Sequence, residues 1–138
     1  MFSELEKYKN IGHFFFEKGD VLKIKSKDVP NLPGVYYILK LVKGKVELVY
    51  IGKSGSIQQN GQFKEQLLNQ RLNNKQDGMN REQYFLQKIE LENIDALDIY
   101  WFVTMDEQYQ DLPSFVEGLL LQRYFEIYAC LPKWNKSF

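Results

Sequence analysis

Gly34-Val35-Tyr36-Tyr37-Ile38-Leu39, followed by Val46-Glu47-Leu48-Val49-Tyr50-Ile51-Gly52-Lys53, is the stretch that decides the fold. Both runs are rich in β-branched, aromatic and leucine side chains, with the β-branched and aromatic ones favoured on a pleated surface. Between them, Lys43-Gly44-Lys45 supplies a glycine for a tight turn, so the runs read as a hairpin. The two tyrosine tripeptides Gly34-Val35-Tyr36 and Tyr50-Ile51-Gly52 thus fall on paired strands, and the second runs straight into Lys53.

Upstream, Pro30-Asn31-Leu32-Pro33-Gly34 is a turn cluster that closes a lead-in. Within that lead-in Glu4 to Tyr8 is compatible with a helix, and Gly12 and Gly19 act as breakers. Val21-Leu22-Lys23-Ile24-Lys25 alternates weakly and reads as an edge strand whose lysines discourage unwanted pairing. Downstream, the polar segment from Gly52 to Gly61 predicts a loop. Phe63, Leu67, Leu68 and Leu72 predict a helix from about Gln62 to Asn73. Asp77-Gly78 interrupts it, and Tyr84, Phe85 and Ile89 resume the helical spacing over Arg81 to Leu91. Ala96 to Met105 holds a third strand, Leu97 to Val103, and Asp106 to Asp111 an acidic loop. Asp111 as a cap and Pro113 in a first turn open a last helix, with Phe115, Val116, Leu119, Leu120 and Ile127 as its apolar face, ending before Pro132. The sum is one α+β domain over residues 1–138: a small three-stranded antiparallel sheet flanked by helices, with 1–30 as lead-in and 31–138 as core.

Composition agrees with a single soluble, globular domain: 138 residues, 44% hydrophobic and 26% charged. Apolar stretches such as Phe14-Phe15-Phe16 and Leu119-Leu120-Leu121 fall far below the roughly 20 residues that span a bilayer. Met1-Phe2-Ser3-Glu4-Leu5-Glu6 carries acids where an export signal needs positive charge, so no membrane association and a cytoplasmic location are expected. The single cysteine, Cys130, excludes an intramolecular disulfide and any zinc site of several cysteines; it reads as a small buried hydrophobe. Eighteen basic and eighteen acidic side chains cancel, so any binding to nucleic acid by this domain alone should be weak and salt-sensitive. Lys18, Lys23, Lys25 and Lys27, with Lys133 and Lys136, still allow one basic face.

In order along the chain come Gly34-Val35-Tyr36, Tyr50-Ile51-Gly52-Lys53, Arg71 on the next helix, Glu117 on the last long helix and Asn135 near the end. This constellation, over roughly residues 31–138, resembles the GIY-YIG nuclease superfamily. The resemblance implies a DNA endonuclease using one Mg²⁺ or Mn²⁺ held by Glu117. It implies Tyr36 as the leading candidate to activate the attacking water, with Tyr50 as a second phenol beside it; which of them takes the proton stays open. It further implies that Arg71 neutralises the scissile phosphate, that Lys53 depresses the pKa of a nearby phenol and that Asn135 orients its neighbours. Gly52 and Lys75 are candidate phosphate contacts. DNA is the implied partner, and cutting both strands calls for a homodimer, two binding events or a separate DNA-targeting protein.

Chemistry favours such a set. Phosphodiester hydrolysis needs an activated water and charge neutralisation at the phosphoryl oxygens. Mg²⁺ keeps several waters, so one carboxylate suffices. Tyrosine ionises near 10 and needs help to act as a base at neutral pH. Compared with compact members, the segment from Tyr50 to Arg71 carries an extra Gly- and Gln-rich loop near residues 54–62, and Lys75 stands where many have a histidine.

Each residue also has a bland reading. Tyr36 and Tyr50 could face the core, Lys53 and Arg71 could be solvated charges, and Asn135 a turn residue. Glu117, on an otherwise apolar helix, is harder to place without a partner. His13, the only histidine, reads as structural, and no acidic residue is followed two positions later by lysine, so other common nuclease patterns are missing. The neutral charge, the missing histidine whose place Lys75 holds and the absence of a separate DNA-reading module motivate an alternative: a catalytically silent domain that binds nucleic acid or a protein partner.

Overall fold

The computed structural model describes residues 2–63, 67–76 and 78–138. Among the described residues six strands are formed: β1 Ile11–Phe16, β2 Gly34–Val42, β3 Lys45–Lys53, β4 Lys75–Gln76, β5 Met79–Asn80 and β6 Ala96–Val103. The α-helices are α1 Leu22–Lys25, α2 Leu68–Asn73, α3 Arg81–Leu91 and α4 Pro113–Tyr128. β1, β6, β2 and β3 build a four-stranded antiparallel sheet in that order, and β4 pairs with β5 in a separate ribbon.

The hairpin forms as expected. Lys43 and Gly44 both take positive φ, 50° and 80°, which is the two-residue turn whose twist matches antiparallel strands. The Lys43 N–H donates to Asp95 Oδ2 at 2.8 Å, pinning that turn to the start of β6.

The sheet has four strands rather than three, because the lead-in contributes β1, paired with β6 from Ile11↔Phe102 to Phe16↔Leu97. Phe16 is wholly buried, and a β-carbon on Gly12 would lie 2.5 Å from the Trp101 ring, so glycine is what lets β1 approach β6. The edge strand expected over Val21 to Lys25 is instead helix α1. There only Leu22 is buried, its N–H bonded to Glu82 Oε1, while Val21 and Ile24 stay exposed; the weak alternation reflected one anchor, not a sheet face.

Helices cover both faces of the sheet. Tyr36, Ile38, Leu97, Ile99 and Val103 pack with Leu68 and Leu72 of α2 and Tyr84, Phe85 and Ile89 of α3. Val35, Tyr37, Leu39 and Ile51 pack with Val116, Leu120 and Leu121 of α4. A strand covered on both sides has no polar face, which is why β2 is apolar at consecutive positions.

Helix α2 is shorter than its apolar spacing predicts, since Phe63 pairs as an isolated bridge with Ile57. Positions 64–66 of that expected helix, and Asp77 of the expected break, lie outside the described residues. Asp111 does not cap α4. Leu112 holds the cap position, and the Asp111 carboxylate accepts from Tyr8 Oη at 2.6 Å and pairs with Lys7 at 2.8 Å. Phe115 and Ile127 point to solvent, 63% and 71% exposed, so the buried stripe of α4 is narrower than expected. Cys130 is exposed, just past the left-handed Ala129 that ends α4. Trp101 and Trp134 are buried, and His13 bonds Asp98 Oδ1 while stacking on Tyr100. Among the described residues, no helix is long and apolar enough to cross a membrane.

Candidate active site

Tyr36 and Tyr50 point to the same side of the hairpin, with ring centroids 5.9 Å apart. Register sets this up: Tyr36 lies opposite Gly52 and Ile38 opposite Tyr50, so both phenols fall on the face covered by α2 and α3. Gly52 makes room for the pair. A β-carbon there would lie 2.5 Å from Tyr36 Cζ, 2.7 Å from its Oη and 2.7 Å from Tyr50 Cε2. At Gly34 a β-carbon would lie 2.1 Å from the Phe102 carbonyl oxygen, so the glycines of both tripeptides are steric necessities.

The Tyr36 oxygen accepts a 2.8 Å hydrogen bond from Nη1 of Arg81, the first residue of α3. Both side chains are buried. Tyr50 is raised far above the ordinary tyrosine range, first by charge on the Tyr36 phenol and then by burial, with Arg81 and Arg71 opposing and Glu117 adding to the rise. Two phenols this close do not ionise together.

Glu117 reaches the same cluster from α4 on the other side of the sheet. Burial raises its carboxyl above the usual range, and the Lys53 and Arg71 cations pull it back down. Lys53, the last residue of β3, and Arg71, on α2, therefore bracket the carboxylate from two elements. The Lys53 ammonium also donates to the Ser54 carbonyl at 3.4 Å. Tyr36, Tyr50, Lys53, Arg71 and Glu117 thus share one electrostatic neighbourhood.

Asn135 works from behind β3. Its Oδ1 accepts from the Ile51 N–H at 3.0 Å and its Nδ2 donates to the Ile51 carbonyl at 2.9 Å. The Trp134 N–H donates to the Val49 carbonyl at 2.8 Å, so this tail closes the edge of the strand that carries Tyr50. Gly52 is buried, and what its α-carbon faces is the tyrosine pair. Lys75 is exposed on β4, and among the described residues no ion pair joins it to the cluster.

A divalent ion fits the donor set in one way. No group of three or more histidine, cysteine, aspartate or glutamate side chains that could hold a metal exists among the described residues. A closed all-protein cage is therefore not offered. One carboxylate, Glu117, at the rim of a cluster with phosphate-type cations, suits a hard ion that keeps water and takes its other oxygens from a substrate.

Arg81 is the member that motif reading passes over. One signal was legible: a cation at the first position of a helix opposes the helix dipole, so an arginine there asks for a partner elsewhere. Compared with known proteins, the chain matches no family model, no curated protein and no solved structure.

Proposed function

We propose that this chain is a metal-dependent DNA endonuclease domain of the GIY-YIG type, hydrolysing phosphodiester bonds. The observation that carries the reading is the convergence of Tyr36, Tyr50, Lys53, Arg71 and Glu117, five residues from four separate elements. A purely structural cluster gains little from enclosing a raised carboxyl, two phenols and two cations together, whereas phosphodiester hydrolysis uses each type.

Arg71 presents a planar fork of donors matched to phosphate oxygens and neutralises the scissile group, with Lys53 as a second, more mobile charge. Tyr36, once its proton is lost and its oxygen is held by Arg81, takes the proton from the attacking water as a phenolate. Tyr50 is held protonated by its neighbour and acts as a hydrogen-bond donor at the same place. Asn135 keeps β3, and with it Tyr50 and Lys53, in register through Ile51. Glu117 would hold Mg²⁺ or Mn²⁺, which would supply charge neutralisation for the phosphodiester.

Supercoiled plasmid incubated with the protein in Mg²⁺, in Mn²⁺ and in EDTA tests this reading. Nicking in either metal and none in EDTA is the expected result. Intact plasmid in both metals, with branched DNA still shifted on a gel, would replace the nuclease with a silent nucleic-acid-binding domain.

A further inference from the structure

We infer that Arg81 is a positioning residue, holding Tyr36 rather than Tyr50 as the phenol of the pair that gives up its proton. The inference deepens the nuclease reading and rests on it for its consequence, while the interaction itself is independent of any substrate.

A guanidinium nitrogen can only donate, so the 2.8 Å bond from Arg81 Nη1 fixes the Tyr36 oxygen as the acceptor. That arrangement stabilises a negative oxygen more than a neutral one, because a charge-assisted bond is stronger than a neutral one. When the Tyr36 O–H bond breaks, the electron pair stays on the oxygen facing Arg81 and the proton leaves to solvent.

The guanidinium of Arg81 lies 5.9 Å from the ring centroids of both Tyr36 and Phe85, contacts that leave its charge without an anion. Arg81 is 3% exposed, its Nε is buried without a hydrogen-bond partner, and among the described residues no carboxylate forms an ion pair with it. Its position at the start of α3 sets it against the helix dipole. A buried cation without an anion is unfavourable, and an ionised Tyr36 is an anion within hydrogen-bond reach. Burial works against the Arg81 charge, while Tyr36, by charge and hydrogen bond, together with Tyr50 and Tyr84 raises the guanidinium above its ordinary value.

The groups around the pair fit one ionisation only. Tyr50 from β3 and Glu117 from α4 oppose a second negative charge, and Tyr84 of α3 faces Arg81. Arg71 of α2 acts on Tyr50 and Glu117, and Lys53 of β3 acts on Glu117. Arg81 is thus the cation bonded to the phenol, while Arg71 and Lys53 serve the carboxylate side.

The test is an NMR titration of the full chain labelled with ¹³Cζ-tyrosine, in EDTA, with resonances assigned from Tyr36→Phe and Tyr50→Phe. The Tyr36 resonance should titrate at lower pH than that of Tyr50. Arg81→Gln should move the Tyr36 midpoint up by at least about one pH unit, a tenfold change in proton affinity. Arg81→Lys keeps a cation and should move it less, which preserves the test if the glutamine variant does not fold. Tyr50 titrating first in the wild type, or a Tyr36 midpoint unmoved in both variants, would overturn the inference. The titration needs no DNA. The expected order without plasmid nicking would sink the nuclease and spare Arg81; nicking with the reverse order would do the opposite.

Discussion

Gly52 and Tyr36 sit face to face across β3 and β2, so close that a single methyl group on Gly52 would come within 2.5 Å of the phenol carbon. The contact links fold and site directly, because Tyr36 can sit beside Tyr50 and reach Arg81 only while position 52 has no side chain. Gly52→Ala should therefore destabilise the domain by about 1–3 kcal/mol, the usual range for overpacking a core. Nicking by the fraction that remains folded should fall by about 100-fold, since the displaced phenol leaves its partner. Thermal melting together with plasmid nicking below the melting range checks both. An alanine variant with unchanged melting and rate would remove the close contact from the account.

Gly118 offers the reverse case. It lies within α4, and an added β-carbon would meet only the Phe138 ring, at 3.2 Å. Phe138 is 77% exposed at the chain end and free to shift. Gly118→Ala should raise stability by roughly 0.5–1 kcal/mol by favouring the helix. Denaturant unfolding measures this, and a lower midpoint would mean that Phe138 is held in place.

Asn135 is a fastening residue for β3. Asn135→Ala removes both bonds to Ile51 and leaves a strand N–H and carbonyl without their partner, at about 1–3 kcal/mol. Melting should drop by several degrees, while nicking in the cold, where the variant is folded, stays within an order of magnitude of wild type. A complete loss of cleavage by a fully folded variant would give Asn135 a direct part in the chemistry.

Glu117 ties stability to pH. Its carboxyl is raised by burial, with Lys53 and Arg71 only partly opposing. A group raised on folding contributes stability below its unfolded value, and that contribution is lost as pH rises through the folded value. Glu117→Gln keeps the shape and removes the buried charge. Its melting temperature relative to wild type should therefore climb between acidic and neutral pH and exceed wild type at pH 7. A variant less stable than wild type at neutral pH would mean that the carboxylate is more strongly paired than its burial implies.

The hairpin, α3, β6 and α4 were legible because each carries its own local pattern, such as Lys43-Gly44 at the turn and Tyr84, Phe85 and Ile89 on one face of α3. β1 was not, since it depends on Gly12 fitting against Trp101, a residue far along the chain. Asp111 had the right chemistry for a cap but a better offer from Tyr8 and Lys7, both distant in sequence. Residues of the candidate site were readable from types and order, as the two tyrosines and Glu117 illustrate. Arg81 was hidden, because a buried arginine bonded to a tyrosine leaves no short motif; only its awkward place at a helix start hinted at it.

The most direct test compares wild type, Tyr36→Phe and Glu117→Gln in one plasmid-nicking experiment with Mg²⁺, with melting curves on the same samples. The account predicts metal-dependent nicking by the wild type and losses of at least about 100-fold in both variants, each folded at the assay temperature. Full-rate nicking by both folded variants would contradict it.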